Sequence, residues 1–159
     1  DVSLSMEGSN INMAMALVAL LIGKHLDDGS RYIYRQFADM VGKAHRASTS
    51  KEKHKLISFL INQTEDDVGA GTNILEAITC AAQDVEGVSR DEDIPEVLIV
   101  TDGDDPSLTG YDIASAINRD TILHSVVVGR MSNSSLREHS STYYELRAGR
   151  YSIPDDGWS

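Results

Sequence analysis

Val97-Leu98-Ile99-Val100-Thr101-Asp102-Gly103 is a run of four apolar residues, three of them β-branched, halted by a polar turn. A continuous apolar run of strand length is what a strand buried on both faces requires, as in a parallel sheet covered by helices. Ile122 to Val128 repeats the pattern, broken only by His124 and Ser125, and ends at Gly129. Two such runs predict a parallel sheet, and the residues just past each strand lie where open α/β sheets bind their ligands.

Working outward from these runs, helices are predicted between strands. Tyr111 to Asn118 and Ser135 to Ser140 read as helices, and Tyr143 to Leu146 as a last short strand. Upstream, a polar stretch from Gly87 to Asp93 follows a helix from Thr72 or Asn73 to about Val85, with Ile74, Leu75, Ile78 and Ala82 on one face. Gly69-Ala70-Gly71 connects it to a helix over Lys51 to Gln63, with Ser50 as its N-cap. Arg31 to Phe37 reads as a strand with Val41 to Ala47 as its hairpin partner. Ile11 to His25 is a helix apolar nearly all round, so both of its faces are expected to be covered. No internal repeat or low-complexity segment stands out. The expected fold is α/β: a doubly wound, mostly parallel sheet with helices on both faces, in one domain over residues 1–149 with a C-terminal tail over 150–159.

Composition fits this. A chain of 159 residues is one domain and buries about 68–70 % of its unfolded surface, so it needs no disulfide or zinc staple. At 41 % apolar and 25 % charged it has the make-up of a folded chain and not a disordered one. A net charge of −11 argues against nucleic acid as a partner. Met13 to Ile22, the longest apolar run, falls short of the roughly 20 residues that cross a bilayer, so no membrane span is expected. Cys80 is alone and reads as a small core residue. His25, His45, His54 and His139 read as surface residues, His124 as a hydrogen-bonded strand residue, and Asp66-Asp67 and Asp91-Glu92-Asp93 as solvated loops. No phosphate-binding loop of the Gly-x-x-x-x-Gly-Lys-Ser/Thr type occurs, and Gly69-x-Gly71 lacks the third glycine of a dinucleotide site.

Three polar motifs fall at comparable positions: Asp1-x-Ser3-x-Ser5 before the first helix, Gly71-Thr72-Asn73 before the third, and Thr101-Asp102-Gly103 after the buried strand. All three are expected on one rim of the sheet. Two carboxylates and three hydroxyls, with no Cys or His among them, are hard oxygen donors that suit Mg²⁺ or Mn²⁺ over Zn²⁺ or Cu²⁺. With direct bonds from hydroxyls, and carboxylates acting largely through water, such an ion retains the electrophilicity to take a carboxylate from a partner protein.

Asp1-Val2-Ser3-Leu4-Ser5, Gly71-Thr72-Asn73 and Val100-Thr101-Asp102-Gly103 together resemble the metal-ion-dependent adhesion site of von Willebrand factor A (VWA) domains, in the same order. The resemblance spans about Asp1 to Leu146. It implies a Rossmann-like sheet with Ser3, Ser5 and Thr72 as direct metal ligands, and Asp1 and Asp102 bound directly or through water. Tyr32 to Phe37 and Leu123 to Gly129 are most similar to the intracellular bacterial ViaA and CoxE-like group, which implies a cytoplasmic adaptor for a MoxR-type AAA+ ATPase. VWA domains place an apolar central strand immediately before the first aspartate. Here the sequence begins at that aspartate, so the first central strand is expected to be missing and the chain to be a fragment, with about five to seven apolar residues preceding Asp1 in the longer protein. The expected function is a non-enzymatic, metal-dependent interaction module that binds a Glu or Asp of a partner. The alternatives are a Mg²⁺-dependent phosphoryl-transfer or hydrolytic enzyme, for which no base or cationic clamp is evident, and an extracellular adhesion domain with the same metal chemistry.

Overall fold

The structure, a computed structural model, describes residues 1–90 and 93–147, so the predicted tail and the last residues of the predicted domain lie outside the described residues. A 3₁₀ turn (Leu4–Met6) leads into helix α1 (Ser9–Lys24). Strand β1 (Tyr32–Tyr34) and β2 (His45–Ala47) form an antiparallel pair, with Tyr32 opposite Ala47 and Tyr34 opposite His45. Helices α2 (Ser50–Ile61) and α3 (Ile74–Val88) follow, then β3 (Glu96–Thr101), α4 (Gly110–Ala116), β4 (Ile122–Val128), α5 (Ser134–His139) and β5 (Thr142–Leu146). β3, β4 and β5 are parallel, with Val97 opposite Leu123 and Val126 opposite Tyr144.

Alternation along β3 and β4 divides the core in two. Val100, Val126 and Val128 face α1, α2 and β2, while Val97, Ile99, Leu123 and Val127 face α3, α4 and α5. Helices therefore cover both faces of the sheet, as the continuous apolar runs require. Each fully buried side chain of this size contributes about 1.5–3 kcal/mol relative to exposure.

Several local readings shift. The N-cap of α2 is Thr49, not Ser50: Thr49 Oγ1 accepts from Glu52 N, and the Glu52 carboxylate accepts in return from Thr49 N at 3.0 Å. Only Thr49 has a glutamate three residues on, which is what a reciprocal capping box needs. Helix α3 runs on to Val88, through Gly87, and Ser89 closes it by donating from N and Oγ to Val85 O. The strand predicted over Arg31 to Phe37 is confined to three residues. Arg35 leaves it to make a paired bond with the Asp84 carboxylate and a third with Gly42 O.

Other corrections concern burial. Only one face of α1 is covered; Leu20 on the other is 73 % exposed. Leu98 is also partly exposed, so β3 is not sealed on both faces along its length. Cys80 is half-buried, and its thiol donates to Glu76 on the adjacent turn of α3. His45 is no surface residue: its ring packs on Phe59 and bonds Asp66, which is thereby no freely solvated carboxylate. Lys53 is fully buried beside Leu56 and Leu60 on the covered face of α2, its ammonium donating to His25 O at 2.7 Å and Leu26 O, at the carboxyl end of α1.

β1 and β3 do not pair. Between them lies a cleft of about 880 Å³, walled by Leu17, Val18 and Leu21 from α1 and by Ala81 and Val85 from α3.

Candidate metal centre

Asp1, Ser3 and Ser5 occupy one tight turn. Asp1 Oδ1 accepts from Ser3 N at 2.9 Å, the turn that an aspartate makes with the residue two ahead. Ser3 is buried, Ser5 stands at the exposed mouth, and their hydroxyl oxygens are 3.1 Å apart.

Asp102 follows β3. Thr101, fully buried, donates from Oγ1 to Asp1 Oδ2 at 2.5 Å and accepts from Gly103 N at 3.1 Å. One threonine thus ties the first and last motifs. Asp102 is only 5 % exposed, and its Oδ1 accepts from Asp104 N at 3.0 Å. Gly103 has φ +76°, a conformation that a side chain disfavours, and it lies against Val127 and Asn133. Asn133 donates to Gly103 O and caps α5.

Thr72 is half-buried in the loop before α3, where Asn73 caps the helix by accepting from Glu76 N. Three bonds fix this loop, the first and last of them to the other two motif loops. Leu4 N donates to Ala70 O at 2.9 Å, Asn73 N donates to Ala38 O at 2.9 Å, and Ile74 N donates to Asp105 Oδ2 at 3.1 Å. The five sequence-predicted residues are therefore carried on three loops cross-linked at one rim, beyond the carboxyl end of β3.

Two further residues act here that sequence reasoning did not assign. Asp105 is buried, and its Oδ1 accepts from Ser107 N and Oγ while Oδ2 takes Ile74 N, so it clamps the Asp102 loop to the Thr72 loop. The Asp-x-Ser spacing was a readable signal of that turn. Asp39 accepts from Ala70 N at 3.0 Å, and the N–H groups of Gly71 and Ala70 hold its carboxyl below the usual carboxylate range. A Cβ on Gly71 would overlap Asp39 Oδ1. This partner is 31 residues away in sequence and leaves no local signal.

Among the described residues no group of three His, Cys, Asp or Glu side chains forms a metal cage, so a cation here depends on the hydroxyls.

No family model matches the chain, and no curated protein matches it. Solved structures do. BatB from Bacteroides thetaiotaomicron superposes with a TM-score of 0.73 at 18 % identity, over 94 % of this chain and 88 % of that one. The von Willebrand factor type A protein from Catenulispora acidiphila gives a TM-score of 0.70 at 17 % identity, over 92 % of this chain and 37 % of its own. Proximal thread matrix protein 1 from the mussel byssus, solved with zinc in its MIDAS motif, gives 0.69 at 14 % identity, over 91 % and 41 %. At these identities the likeness establishes the architecture, and it agrees with the motif order and with the sheet: the chain has the fold of a von Willebrand factor type A domain.

Proposed function

We propose that this domain holds a divalent cation, Mg²⁺ or Mn²⁺, on Ser3, Ser5 and Thr72 with Asp1 and Asp102, and uses it to capture a Glu or Asp side chain of a partner protein. The observation that carries this reading is the Ser3–Ser5 pair, 3.1 Å apart on a turn fixed by Asp1 and tied through Thr101 to the Asp102 loop. Neighbouring oxygens around an octahedral Mg²⁺, at Mg–O of about 2.1 Å, sit about 3.0 Å apart, so the donor pair fits the ion. The mussel protein's zinc-occupied MIDAS motif, in a structure of the same fold, supports a divalent site of this type. A bound ion supplies an electrophilic centre with formal charge left over, because three of the five donors are neutral. Ser3 and Ser5 orient it from inside and from the mouth, while Thr101 and Asp105 keep the carboxylate loops from separating.

The role is capture without turnover. Hydroxyls and carboxylates are donors that hold a cation and present it to a partner's carboxylate, which is the reading proposed over a phosphoryl-transfer or hydrolytic centre. A net charge of −11 would otherwise repel acidic partners, so their binding requires the cation. The partner we propose is a MoxR-type AAA+ ATPase, with this domain as a cytoplasmic adaptor of the ViaA or CoxE-like kind.

Titration calorimetry with Mg²⁺ tests the site. Ser5→Ala and Thr72→Ala are expected to weaken binding by about tenfold each, the loss of roughly one neutral ligand bond, with the fold intact by circular dichroism. Asp102→Ala is expected to abolish capture of a partner in Mg²⁺, and EDTA to release it from the unsubstituted chain. Unchanged Mg²⁺ affinity in both hydroxyl variants removes the site. Metal-dependent hydrolysis that vanishes in Asp102→Ala makes the domain an enzyme.

A further inference from the structure

Three aspartates follow β3 within four positions: Asp102, Asp104 and Asp105. Two of them are engaged. Asp102 accepts from Asp104 N at 3.0 Å, and Asp105 accepts from Ile74 N, Ser107 N and Ser107 Oγ. Asp104 is exposed, and among the described residues its carboxylate has no hydrogen-bond or ion-pair partner. It lines a recess of about 210 Å³ with Gly103, Pro106, Leu108, Met131 and Ser134. Small-molecule sites begin at about 300 Å³, so the recess has room for a single side chain.

The lining decides which one. Leu108 is buried and Met131 is 56 % exposed, so the recess offers apolar contact from its interior to the surface, and Asp104 adds a negative charge. An aliphatic stem with a cationic head satisfies both. A wholly apolar side chain would strip water from the Asp104 carboxylate and return no bond, and a second carboxylate would be repelled. The surrounding charge argues the same way. The loops at this rim, residues 1–8, 37–42, 68–73, 101–109 and 129–134, carry six carboxylates and one guanidinium, that of Arg130. A divalent ion brings the sum of these side chains from −5 only to −3, so the face stays negative around the ion. The recess also adjoins the proposed metal centre. Gly103 follows Asp102 directly, and Asn133 holds it by donating to Gly103 O at 3.1 Å. Two residues of chain, from Asp102 to Asp104, span at most about 7 Å.

We propose that this recess takes a Lys or Arg side chain from the same partner segment that gives its carboxylate to the ion, about two residues away in that segment. The stem lies against Leu108, Pro106 and Met131, and the head meets Asp104. This rests on the reading of the metal centre above and adds a second, cationic anchor to it. The partner segment therefore carries one acid and one base close together, and a segment that is acidic throughout is rejected.

The test measures Kd in saturating Mg²⁺, by fluorescence anisotropy, for three short labelled peptides. They differ at one position, two residues from a single Glu, which is Lys, Gln or a second Glu. The Lys peptide is expected to bind about fivefold tighter than the Gln peptide, the upper end for an exposed ion pair, and the peptide with two Glu to bind weakest. Asp104→Asn keeps the backbone bond to Asp102 and is expected to erase the Lys advantage. That advantage is read as the ratio of the Lys and Gln values, which a change in ion affinity common to both does not move. Asp120→Asn makes the same charge change just before β4, at the opposite end of the sheet, and is expected to keep the ratio. Calorimetry with Mg²⁺ alone accompanies each variant. Equal binding of the Lys and Gln peptides, or none, by a chain that binds Mg²⁺ overturns the recess alone. So does an advantage that survives Asp104→Asn, or one that Asp120→Asn erases equally, which makes it diffuse attraction to an acidic chain. Absence of Mg²⁺ binding overturns the metal reading and this proposal with it.

Discussion

Asp105 accepts a hydrogen bond from the first residue of α3 while it folds its own loop around Ser107. Its removal leaves Ile74 N without an acceptor in a buried place, a loss of about 1–3 kcal/mol. Asp105→Ala is expected to lower the melting temperature by about 2–10 °C and to weaken Mg²⁺ binding, although Asp105 is not among the proposed ligands. Asp105→Asn keeps a side-chain oxygen for Ile74 N and is expected to recover most of the stability. Melting curves and Mg²⁺ titration on the two variants check this; equal loss in both makes the carboxylate's charge, not its bond, the important property. The five proposed ligands could be picked out in sequence because their motifs are local, each within a few residues. Thr101 stood inside a motif and Asp105 two residues past it, but their partners, Asp1 and Ile74, are 100 and 31 residues away. Asp39 stood in no motif. A clamp of this kind becomes visible only when the loops are brought together.

Among the elements, α2 shows how a boundary is set. Thr49 and Ser50 are both good caps, and the deciding residue is Glu52, whose carboxyl lies below its usual range because Ser48 N and Thr49 N donate to it. Thr49→Ala is expected to destabilise the domain by about 1 kcal/mol, and Ser50→Ala by less than half as much. Urea denaturation of the two separates them; equal effects place the cap elsewhere. Apolar runs announced β3, β4 and α1, and periodicity announced α3, because burial imposes those patterns directly. Their ends are set by side chains that find distant partners, as Arg35 finds Asp84, and these have no period to read.

At the scale of the molecule, a set of carboxyls sets the dependence of stability on pH. The carboxyls of Asp28, Asp39, Glu52 and Glu145 are held low, first by the Ser30 hydroxyl, the Gly71 N–H, the Ser48 N–H and the Tyr143 hydroxyl respectively. Their contribution is present above their ordinary range and fades as the pH falls through their folded values. Urea midpoints are expected to fall as the pH drops below the ordinary carboxylate range; midpoints that hold steady there would show that these contacts contribute nothing to the folded state. The doubly wound plan itself was legible, since a parallel sheet under two helical layers leaves long apolar runs. The cleft between β1 and β3 was not legible in this way: no pattern in the sequence of β1 or β3 says which neighbour is on the far side.

Lys53 has a consequence of a different sort. The other four lysines, Lys24, Lys43, Lys51 and Lys55, all stand in solvent, while Lys53 has no exposed surface and its ammonium rests on the carbonyls that end α1. An amine-directed reagent therefore meets two populations. Four sites react at the rate of free lysine, and the fifth reacts only when α2 lifts away from the end of α1. The chain carries in its native composition a chemical clock for the opening of its helical layer, read as the lag between the fourth acyl group and the fifth.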